Sequence, residues 1–96
     1  MPRYLVEHEH SAETCPTSNP EIVQGLAQHM KPESAAQNQV KLLGECVIPG
    51  EHHLIAIVEA DSEDNVSSYF APFEQVGPVS VREVKTCDMV AQQGAD

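Results

Sequence analysis

Residues 40–60 read VKLLGECVIPGEHHLIAIVEA, and the order of apolar and polar residues in this stretch decides the fold. From His52 to Ala60 the chain alternates, with Leu54, Ala56 and Val58 pointing one way and Ile55 and Ile57 the other, which is the period of a β-strand. Val40 to Ile48 forms a second extended segment before it. Pro49 and Gly50 lie between the two and suit the central positions of a type II turn, proline presetting φ at the first and glycine supplying a positive φ at the second. A hairpin is predicted. Its second strand is apolar on both sides, whereas an antiparallel strand with one face in water shows apolar residues on one side only.

Working outward, Arg3 to His10 also alternates, with Tyr4, Val6, His8 and His10 on one side and Leu5, Glu7 and Glu9 on the other. Ser11 to Asn19 is rich in Ser, Thr and Pro and reads as a loop. Asn19, Pro20 and Glu21 supply an N-cap, a proline at the first helical position and an acid in the first turn. Ile22, Leu26 and Met30, joined by Val23 and Ala27, form the apolar stripe of a helix that Pro32 stops. Glu33 to Gln39 is a polar connection to the hairpin. Beyond it, Asp61 to Asp64 open a second helix with the stripe Val66, Tyr69, Phe70 and Phe73, ended or kinked by Pro72. A last strand is predicted from Val79 to about Met89, with a bulge near Val84. Residues 1–91 form one domain, and 92–96 a frayed tail.

Strand, helix, strand, strand, helix, strand is the order of the ferredoxin-like α+β unit, a four-stranded antiparallel sheet with two helices on one face. The two-sided apolarity of the third strand is extended by Leu42, Leu43, Val79, Val81 and Val84, so the open sheet face needs a cover. A second copy of the chain is the economical one, and a homodimer through that face is predicted. A chain of 96 residues buries a smaller share of its surface than a larger one, which adds weight to pairing.

The segment VKLLGECVIPGEHHLIAIVEADSEDNVSSYFAPF, followed by VSVREV, resembles a family of short bacterial proteins in the dimeric α/β-barrel superfamily, whose ferredoxin-like members pack two sheets face to face. The resemblance implies a barrel-like dimer. It spans a superfamily of monooxygenases, isomerases, haem-degrading enzymes and plain binding proteins, so it implies no single chemistry. The opening MPRYLVEH is also similar to the first strand of small ferredoxin-like proteins, some of which bind nickel, which implies His8 as a ligand.

Fifteen acidic residues against five Lys and Arg give a net charge of −10, which repels phosphate backbones and anionic lipid and argues against nucleic acid and membrane surfaces as partners. The N-terminus has neither a secretory nor a transit pattern, so a cytoplasmic location is expected. Cys15, Cys46 and Cys87 are odd in number and widely spaced, unlike a disulfide framework. GxGxxG and P-loop patterns are absent from the sequence.

His8 and His10, two apart on a strand, project from one face, and Cys15 follows after a short loop that can fold back over them. Two imidazoles and a thiolate suit zinc, nickel or copper, so His8, His10 and Cys15 are the predicted metal ligands, with His53 or Glu7 as candidates to complete the set. Cys15, the thiol expected to be most exposed, is alternatively a nucleophile with His8 or His10 as its base. His29 is expected at the edge of the helical stripe with one polar partner, His52 and His53 on opposite sides at the surface, and Glu45 and Glu59 at exposed edges. Cys46 is expected in the core; Cys87 is either packed or close to Cys15. The leading functional expectation is a homodimeric transition-metal binder. The alternatives are a small monooxygenase or isomerase using a cavity between sheet and helices, and a non-catalytic interaction module.

Overall fold

The computed structural model describes residues 1–11 and 19–94. Its elements are β1 (Arg3–Glu9), α1 (Pro20–His29), α2 (Pro32–Gln37), β2 (Val40–Ile48), β3 (His53–Ala60), α3 (Glu63–Phe70), a 3₁₀ turn (Ala71–Gln75), β4 (Val79–Val84) and α4 (Cys87–Gln93). The strands form one antiparallel sheet in the order β2-β3-β1-β4. This is the ferredoxin-like α+β arrangement, in which the first and third strands are central and each βαβ half crosses over the same face. No described helix is long and apolar enough to cross a membrane.

The helix caps form as their residue types dictate. Asn19 accepts from the backbone N–H groups of Glu21 and Ile22 at 3.1 and 3.4 Å, and Ser62 from that of Asn65 at 3.2 Å. At the hairpin the N–H of Glu51 donates to the Ile48 carbonyl at 3.2 Å, with Gly50 at φ 83°. That is the positive φ a type II turn requires at its third residue.

Two segments depart from expectation. Glu33 to Gln39, predicted as a connection, holds α2, because Pro32 stops α1 and also serves as the first residue of the next helix, where its missing N–H costs nothing. Ala35, fully buried, anchors it. The last strand ends at Val84 rather than near Met89. Thr86 caps α4 by accepting from the Met89 N–H at 3.1 Å, and that helix runs to Gln93.

The core lies between the sheet and α2 and α3. Tyr4, Val6, Leu54, Ala56, Val58 and Ala60 face Val66, Tyr69, Phe70 and Phe73. α1 differs, since none of its residues is fully buried, although Leu26 and Met30 touch the core. The far face of the sheet carries Leu5, Ile55 and Ile57 at its centre: Leu5 stands opposite Ile57 and Arg82, Ile57 also opposite Gly44, and Ile55 opposite Glu7 and Cys46. Ion pairs flank them, Arg3 with Glu59 at 3.0 Å and Arg82 with Glu7, and the His53 ring hydrogen-bonds Glu7 at 3.0 Å.

The bulge is in β2, not β4. Leu42 pairs with Val58 and Gly44 with Ile57, so Leu43 is the extra residue, and everything beyond it changes face. Cys46 therefore moves to the open face and is exposed, contrary to its expected core position. Glu45 instead stands opposite Ala56 on the helix side. β4 pairs with β1 without a shift, and Val84 faces away from the helices beside Arg3.

Candidate ligand cavity

A cavity of about 470 Å³ opens between α1 and the end of the sheet. It exists because α1 stands off the sheet: Val23, Leu26, Ala27 and Met30, the stripe predicted to pack, line the space rather than fill it. The sheet contributes His8, Leu54, Val47 and Glu45, the hairpin Ile48 to Gly50, and the 3₁₀ turn Phe73. This volume falls in the range of small-molecule sites, and the lining has their usual makeup of apolar walls with a few polar groups.

The polar groups gather at one end. His8 is 2% exposed, wedged edge-on against Phe73 with ring centroids 5.4 Å apart. Its ring lies 5.5 Å from that of His10, and His10 lies 5.0 Å from His52. The backbone explains the cluster. β1 and β3 are antiparallel, Glu9 is opposite His53, and the His10 N–H continues the pairing by donating to the His52 carbonyl at 3.2 Å. His52, with φ at 54°, is thereby held beside His10.

Three buried ring nitrogens there have no hydrogen-bond partner among the described residues: Nε2 of His8 and both nitrogens of His10. Burial holds His8 below the ordinary imidazole value of 6.5; a hydrogen-bonding influence of the Phe73 backbone opposes this, while His10 and His53 push the same way as burial. His10 is lowered by burial first and by His52 second. Both rings are therefore neutral near pH 7, and a neutral imidazole carries one N–H and one lone pair, so His10, with both nitrogens unpartnered among the described residues, offers a donor and an acceptor whichever tautomer it takes.

Of the predicted metal ligands, His8 and His10 do share a face and stand together, while Cys15 lies outside the described residues. Neither residue suggested to complete the set turns toward them, because Glu7 and His53 pair with each other across the open face. Among the described residues no group of three or more His, Cys, Asp and Glu side chains is placed to hold one metal ion. Cys87 is neither packed nor at a strand end; it opens α4 and is exposed.

The remaining histidines divide. His29 has the polar partner expected of it: its Nε2 bonds the Tyr69 carbonyl, and the Tyr69 hydroxyl donates to the His29 carbonyl at 2.6 Å. This reciprocal pair, with the rings stacked at 4.6 Å, ties the end of α1 to α3. His52 and His53 do lie on opposite sides, but both are half-buried rather than at the surface. His52 was missed as a site residue although its parity with Leu54 signals the helix side. Glu45 is exposed on the edge strand β2, as expected, and the bulge also brings it to the cavity. Glu59 is half-buried in its pair with Arg3.

These features define a small ferredoxin-like α+β protein with a histidine-ended cavity under its first helix. The chain matches, over residues 3–95, the family described as Domain of unknown function (DUF3303), and it belongs to that family. No curated protein matches it.

Proposed function

We propose that the chain binds a small, largely apolar molecule in the cavity beneath α1, with the histidine end as its polar anchor. The observation that carries this is the buried His8 Nε2, without a partner among the described residues, on a ring that lines a mostly apolar space. A buried polar atom without a partner costs on the order of 1–3 kcal/mol, and a bound ligand removes that cost. Proton abstraction from the ligand is the chemistry a neutral, sheltered imidazole offers. That agrees with the small-enzyme alternative drawn from the superfamily resemblance. In solution the working form is a homodimer, its open faces joined over Leu5, Ile55 and Ile57 as in the dimeric α/β barrels that the chain resembles.

Thermal melting with 4-propylphenol tests the cavity. A saturable rise in Tm is expected for the natural chain and should vanish in Val23→Trp, whose indole fills the space. A rise that persists unchanged in the filled variant contradicts the proposal.

Transition-metal binding is the second reading, and the same orphaned nitrogens favour it. His8 and His10 supply two imidazole donors of the type zinc, nickel and copper take, and Cys15 is the proposed third. Equilibrium dialysis against each metal ion checks it. The reading requires stoichiometric uptake that is lost in the His8→Ala, His10→Ala double variant; equal uptake by both proteins removes it.

A further inference from the structure

If the cavity binds a small molecule, as proposed above, its lining also limits which head group that molecule can carry. Nε2 of His8 and both nitrogens of His10 have no hydrogen-bond partner among the described residues, and a neutral imidazole keeps one N–H and one lone pair, so the inner end offers at least one lone pair beside an N–H. A ligand whose head only accepts hydrogen bonds would leave the lone pair unmet. No Lys or Arg is among the described lining residues, whereas Glu45 is, and the chain as a whole carries −10. A carboxylate or phosphate would thus meet a carboxylate and no cation. A charged amine would have to shed its hydration among Val23, Leu26 and Phe73, which is costly without a partner carboxylate at the same depth; Glu45 is solvent-exposed.

We infer that the ligand is an uncharged molecule with an apolar body and a hydroxyl head, an alcohol or phenol, that both donates and accepts hydrogen bonds among the unpartnered ring nitrogens of His8 and His10. Glu45 acts at the cavity wall as the residue that turns anions away. His10 and His52 flank the head group, and the walls from α1 and Leu54 take the apolar body.

Three probes sharing one skeleton separate the possibilities: 4-propylphenol, its methyl ether and 4-propylbenzoate, titrated into the natural chain by calorimetry. The phenol is expected to bind about tenfold more tightly than the ether, the ordinary worth of one sheltered hydrogen bond, and the benzoate most weakly. In Glu45→Gln the affinity for the benzoate relative to the phenol should rise several-fold. Imidazole ¹⁵N spectra give an independent readout, and the phenol is expected to shift the His8 or His10 ring nitrogens further than the ether does. Equal binding of phenol and ether, or ring-nitrogen shifts that are equal for the two, overturns the head-group assignment while leaving the cavity standing. Binding of none of the three overturns the cavity and the assignment together.

Discussion

At the scale of single residues, the histidine end depends on Gly77 as much as on the histidines. A Cβ built there would sit 1.9 Å from the Glu9 carbonyl oxygen and 3.0 Å from the His10 Cα, so only glycine lets the segment before β4 lie against the end of β1. Gly77→Ala must push these backbones apart. A loss of about 3 kcal/mol is expected in urea denaturation, together with displaced His8 and His10 resonances. The depressed histidines make a second expectation. Their charged forms are disfavoured by folding, so the unfolded chain takes up protons first as pH falls below 6.5. Their contribution is thus fully present above that pH and is lost as the pH drops toward their lowered folded values. Melting temperature followed from pH 7.5 to 5 should fall, and less steeply in His8→Gln.

At the scale of elements, the bulge in β2 decides what the cavity contains. Because Leu43 is the supernumerary residue, deleting it leaves a regular ladder with Glu45 still on the helix side. The deletion should therefore be tolerated, with the far-UV spectrum and 4-propylphenol binding retained; loss of both would show that Leu43 has a packing role beyond the bulge. Ser62→Ala removes the cap of α3 and should cost about 1 kcal/mol in denaturant. The elements legible in the sequence were those with a strong local signal. Alternation marked β1 and β3, cap residues marked α1 and α3, and Pro49-Gly50 marked the hairpin. Elements whose signal is tertiary were not legible. α2 has six residues and no apolar stripe, and it owes its place to one buried alanine. The bulge falls in Leu42-Leu43-Gly44, where two leucines in succession have no alternation to break. The pairing of His8 with His10 followed from parity alone, but the arrival of His52 and Glu45 required knowing which strands are neighbours and where the register shifts.

At the scale of the whole molecule, the described residues leave two surfaces uncovered, and each carries its own prediction. The open sheet face holds Ile57 at 42% exposure between Leu5 and Gly44, ringed by charges already paired with each other. Ile57→Lys would place an unpaired ammonium at the centre of the proposed dimer. Light scattering at micromolar concentration should give a dimer mass for the natural chain and a monomer mass for this variant, and a monomer in both would refute pairing through this face. The cavity is the other surface and the central one, since it explains why α1 carries a good apolar stripe that is nowhere fully buried. A ¹⁵N NMR titration of the natural chain with 4-propylphenol tests that claim most directly. Saturable shifts at His8, His10, Val23, Leu26 and Met30 are expected, and shifts that fail to saturate, or that fall on Leu5, Ile55 and Ile57 instead, would contradict it.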